Sequence, residues 1–139
     1  MGLEYSGSER RQFVRLEYIA PLAYKVCKPE IIEQLLKGYV ADVSPAGLSC
    51  NIKIEPRPGD ILWLSFDRAT LIFCEEMEKR SIIYQNGVIG KVVRVAHRGD
   101  DTYEVGVNFI TREEKDSRNI YPKIHFLTDH GQTVSGHDK

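Results

Sequence analysis

Apolar and polar residues alternate along most of this chain in short runs, at 39–43, 48–54, 61–66, 88–96 and 103–109, with a further run inside 71–84. Alternation with a period of two is the pattern of a half-buried strand. Turn chemistry separates the runs: Pro45-Ala46-Gly47, Pro58-Gly59-Asp60, Asn86-Gly87 and Gly99-Asp100-Asp101. Asn-Gly between two β runs predicts a hairpin. Several strands at this spacing predict an antiparallel barrel or sandwich.

Residues 13–27 are rich in β-branched and aromatic side chains and predict another strand, interrupted near Ala20-Pro21. Residues 29–37 space their apolar positions as a helix would, and Pro29 suits an early helical position; a loop fits them equally well. Thr111 offers a helix cap, with acidic residues in the turn that follows. Ile120, Ile124, Phe126 and Leu127 then supply an apolar stripe for a C-terminal helix, which Pro122 kinks or ends early. The expected division is a flexible polar arm at 1–8, one folded domain at 9–128 and a disordered tail at 129–139, with no repeat and no interdomain linker.

Composition narrows the function. A chain of 139 residues with 42% hydrophobic and 28% charged residues fits one globular domain. Nineteen basic side chains face twenty acidic ones, for a formal charge of −1. A protein that holds nucleic acid by neutralising many phosphates carries a basic excess, so nucleic acid is not an expected partner. The apolar runs are too short to span a bilayer, and residues 4–6 (Glu-Tyr-Ser) do not resemble a signal peptide, so a cytoplasmic protein without membrane insertion is expected. Cys27, Cys50 and Cys74 are odd in number and widely spaced, as reduced buried thiols would be. His97, His125, His130 and His137 lack metal-ligand spacing, and Cys74 has no histidine nearby in sequence. Neither a metal site, a catalytic residue nor a cofactor is expected, and the chain is read as no enzyme.

Two clusters carry specific chemistry. Arg11 and Arg15 are four apart, which places them on one face of either a strand or a helix, and Arg10 reaches in from the side. A guanidinium offers a planar fork of donors that suits a phosphate or the O6/N7 edge of guanine. Asp42 and Ser44 share one side of a strand end, with Val43 pointing inward. Ser44-Pro45-Ala46-Gly47 fits the four positions of a type I turn. A carboxylate held there accepts from N1–H and N2–H of guanine, while Gly47 acts through its backbone. Arg94 and Arg98, near another strand end, face either the same groove or solvent, with solvent favoured. Trp63 reads as a packing residue.

With Arg11 and Arg15 as RxxxR, Arg10 as an extra arginine, and Asp42, Ser44 and Gly47 as [D/N]xSxxG, the chain resembles the PilZ domain family, bacterial receptor modules for cyclic di-GMP. The segments 58–61, 90–95 and 103–109 resemble the family's later strands in order and spacing, so the likeness spans residues 9–127. It implies a six- to seven-stranded antiparallel β-barrel with a C-terminal helix packed against it. It also implies cyclic di-GMP bound outside the barrel by Arg10, Arg11, Arg15, Asp42, Ser44 and Gly47. The function implied is a stand-alone receptor, monomer or homodimer, whose arginine arm orders on binding and signals to a downstream protein in motility, adhesion or exopolysaccharide output. The charged stretch 72–83 is longer than the family pattern and reads as an extended hairpin and partner-binding surface. Two alternatives are a PilZ-fold adaptor that does not bind the nucleotide, and a small barrel that binds single-stranded nucleic acid.

Overall fold

The computed structural model describes residues 15–113. Seven strands follow in chain order: β1 (Leu16–Val26), β2 (Leu36–Ser44), β3 (Gly47–Ile52), β4 (Ile61–Phe66), β5 (Ile83–Tyr84), β6 (Gly87–His97) and β7 (Tyr103–Phe109), with a helix α1 (Cys74–Arg80) between β4 and β5. Every pairing is antiparallel, in the order β4-β1-β2-β3-β7-β6-β5, and a further β4–β6 pairing closes six strands into a barrel with β5 added beside β6.

Alternation fills the interior. Leu22, Tyr24, Val26, Val40, Val43, Leu48, Cys50, Leu62, Leu64, Val92, Val105 and Val107 form one buried core. Cys27, Ile32, Ile61, Ile89 and Ile110 form a second, with Trp63 and Tyr84 packed against it. Strand β1 is continuous through Pro21. The break expected there is a bulge just before it: Glu17 pairs with Asp42 and Ala20 with Val40, so Tyr18 and Ile19 together oppose Ala41. Residues 29–34 form turns rather than a helix, and β2 begins at Leu36.

The largest difference from expectation lies at 71–84, where a helix replaces most of the predicted hairpin. Leu71, Cys74 and Met77 recur every three residues and pack into the main core, with Met77 fully buried. Glu75 and Glu76 sit in the first turn and Lys79 and Arg80 in the last, as the helix dipole favours. Arg68, itself buried, donates to Glu78 on α1 and to the Asn86 carbonyl, tying the helix to the β5–β6 hairpin. That hairpin is present but displaced by one residue: Tyr84 pairs with Gly87, and Gln85 and Asn86 carry the positive φ (49° and 64°) of its two-residue turn. Gly87 is needed for room, since a Cβ there would meet the Trp63 indole at 2.3 Å. The helix expected after Thr111 lies outside the described residues; Thr111 itself bridges to Ser81.

Candidate functional site

Three bulges fall along one row of the barrel wall, in β1, β2 and β6, and those in β2 and β6 decide which polar side chains face out. Besides the one in β1, Ala41 is extra between the pairs Val40–Cys50 and Asp42–Ser49. Val93 is likewise extra between Val92–Val107 and Arg94–Gly106. Without the extra residue, alternation from buried Val40 would turn Asp42 inward, and alternation from buried Val92 would do the same to Arg94. The bulges in β2 and β6 each reset the count and re-aim one polar side chain outward. Glu17, Asp42, Ser49, Gly106 and Arg94 thus form a continuous row across five strands.

Asp42 is the centre of that row. Arg15 Nη1, at the entry to β1, lies 2.5 Å from Asp42 Oδ1, and the two side chains are 24% and 33% exposed. Ser49 Oγ, buried beneath them, stands 2.9 Å from both carboxylate oxygens. Ser44 does something different from what its position suggested. The residue is 4% exposed, and its hydroxyl turns into the β2–β3 hairpin, where it accepts from the Ala46 N–H at 3.1 Å and donates to the Gly47 carbonyl at 3.4 Å. Pro45 and Ala46 have no positive φ, which is compatible with the type I turn. Gly47 packs on β7 so closely that a Cβ would stand 2.2 Å from the Val107 carbonyl oxygen. Ser44 and Gly47 shape the turn that presents Asp42, whereas Arg15 and Asp42 present functional groups.

Arg15, Asp42, Ser44 and Gly47 are therefore brought together. Arg10 and Arg11 lie outside the described residues. Sequence reasoning missed Ser49, which depends on strand register, and it set Arg94 aside. The available signal was Gly106: a glycine at an outward position between buried Val105 and Val107 marks a close approach. What approaches is the Arg94 guanidinium, whose Nη1 is 2.5 Å from where a Cβ would be.

Other chemistry is not assembled among the described residues. No group of metal-ligating side chains occurs among the described residues. Burial pushes the Cys27 and Cys50 thiols up to about 12. Burial and the neighbouring Glu78 also push Cys74 up, so none of the three is activated as a thiolate. Among the described residues no helix is long and apolar enough to cross a membrane. An open depression on α1, lined by Ile72, Phe73, Glu75, Glu76, Lys79 and Arg80, includes none of the candidate residues.

The PilZ domain family model matches residues 9–121, most of the chain. The chain belongs to the PilZ domain family. Solved structures similar to this PilZ domain include the Escherichia coli YcgR PilZ domain with c-di-GMP, at 12% identity and a TM-score of 0.49, covering 91% of this chain and 98% of that one. The Bacillus subtilis inhibitor of motility MotI/DgrA is also 12% identical with a TM-score of 0.49; the match covers 87% of this chain but only 51% of that protein. The PilZ domain of CeSA from a cellulose-synthesizing bacterium is 11% identical with a TM-score of 0.39, covering 82% and 98%. No curated protein matches the chain.

Proposed function

We propose that this PilZ domain is a receptor for cyclic di-GMP, bound on the outer wall around Asp42. The observation that carries the reading is the Arg15–Asp42 pair braced by Ser49, because it joins the two family motifs at one half-buried point of the wall. Asp42 accepts from N1–H and N2–H of a guanine, which replace the guanidinium donor it now has. Arg15, released from the carboxylate, donates to a phosphate or to the O6/N7 edge. Arg10 and Arg11 are drawn onto the same wall, and the surface so formed is what a downstream protein reads. The dinucleotide shifts that equilibrium only by its greater affinity for the assembled form. Motility, adhesion and exopolysaccharide output are the processes the family likeness suggests.

Titration calorimetry on the full chain tests this. Each bidentate arginine contact is worth about 1–3 kcal/mol, roughly a ten- to hundredfold change in affinity. Arg15→Ala and Asp42→Ala are expected to weaken cyclic di-GMP at least tenfold. Cyclic di-AMP, whose bases lack the N1–H and N2–H donors, is expected to bind the unaltered chain far more weakly. Equal affinity of the unaltered chain and Arg15→Ala would remove this site.

A further inference from the structure

Arg94 is an exposed arginine with a defined seat. Its Nη1, Cζ and Nη2 lie 2.5, 2.9 and 3.2 Å from the point where a Cβ on Gly106 would stand. Three atoms of one planar group at such similar distances mean that the guanidinium lies across the glycine, one face to the backbone and the other to solvent. The Val93 bulge brings it there, and only a residue without a side chain leaves room for it. Among the described residues it has no hydrogen-bond or ion-pair partner. The other outward arginine near it, Arg98, is paired with Glu104. A long side chain held flat with its donors unused is poorly explained as a solvated charge, which has no need of a seat.

Place in the row supplies the rest. Arg94 shares its line with Asp42 through Ser49 and Gly106. Neighbouring strands lie about 4.8 Å apart, so Gly106 is two spacings, roughly 10 Å, from Asp42. Arg15 and Arg94 therefore flank the carboxylate on either side of a nucleotide-sized stretch of wall. A guanidinium is planar and weakly hydrated and lies flat on an aromatic ring, whereas an ammonium meets such a ring only as a point charge.

We propose that Arg94, seated on Gly106, is a second ligand-contacting guanidinium of this wall and stacks its outer face on a purine base of the cyclic dinucleotide. This rests on the cyclic di-GMP reading and adds a residue that neither family motif contains. It also assigns Gly106 a purpose, as the floor that holds the plane in place.

Calorimetry with cyclic di-GMP separates the possibilities, using the full chain and Arg94→Ala, Arg94→Lys, Gly106→Ala and Arg15→Ala. Base stacking on such groups is worth about 1–3 kcal/mol, so Arg94→Ala is expected to weaken binding roughly tenfold. Arg94→Lys keeps the charge but not the plane and is expected to bind no better than Arg94→Ala. Gly106→Ala keeps the arginine but takes its seat, and is expected to weaken binding several-fold. Because the displaced atoms end a flexible side chain, the urea unfolding midpoints of all three are expected to stay near that of the unaltered chain. Full affinity in Arg94→Ala with loss in Arg15→Ala overturns the role of Arg94 alone. Full recovery in Arg94→Lys overturns stacking in favour of a bare charge contact. No binding by the unaltered chain overturns the cyclic di-GMP reading itself.

Discussion

At Asp42 one carboxylate accepts from a hydroxyl on the neighbouring strand and from a guanidinium at the entry to β1, so groups from separate segments aim the same acceptor. Ser49 does not need to touch a ligand for its loss to matter. Ser49→Ala leaves Asp42 free to turn, and a hydrogen bond worth about 0.5–1.5 kcal/mol net corresponds to a two- to tenfold loss of affinity. Calorimetry checks this, and unchanged affinity would show that the carboxylate is positioned without the hydroxyl. The meeting of Arg15 and Asp42 was legible in outline, because each belongs to a motif of the family that the sequence resembles. Ser44 was legible as a motif member but not as a buried turn residue, since the direction of a hydroxyl is set by backbone that its sequence neighbours do not reveal. Ser49 was invisible for a related reason, and Gly106 signalled only that something approaches it: what each opposes is decided by register across strands.

The elements show the same division. Strands β4 and β7 were readable to the residue because each is a short apolar-rich run bounded by turn or polar residues, and in β7 the apolar positions also alternate. The bulges were not, although Val40 with Val43 and Val92 with Val95 carry the trace, inward residues three apart rather than two or four. Helix α1 was missed because seven residues show less than two full helical periods, and the β pattern around them prevailed. At the β5–β6 hairpin the glycine answers to the indole of Trp63 rather than to the turn, and Trp63 Nε1 donates to the Tyr84 carbonyl at 2.7 Å. Gly87→Ala is expected to push the indole aside and break that bond. As the chain has a single tryptophan, its fluorescence reports the change, with emission moving to longer wavelength. Unaltered emission would mean that the hairpin yields instead of the indole.

Across the described residues, closure of six strands encloses the buried hydrophobic core, and the proposed recognition accordingly uses the outer wall. That wall gathers Arg15, Asp42, Ser49, Arg94 and Gly106 from both ends of the described chain, with the β2–β3 and β6–β7 hairpins joined by the long-range β3–β7 pairing. Helix α1 and its depression are built from other residues, which gives the account a clear spatial alternative. The most direct test is a ¹⁵N-labelled NMR titration with cyclic di-GMP, read residue by residue. The largest shifts are expected at the amides of Asp42, Gly47, Ser49 and Gly106 and at the side-chain N–H groups of Arg15 and Arg94, with α1 unmoved. Shifts concentrated on Ile72, Phe73 and Glu76, with the Asp42 row silent, would contradict this.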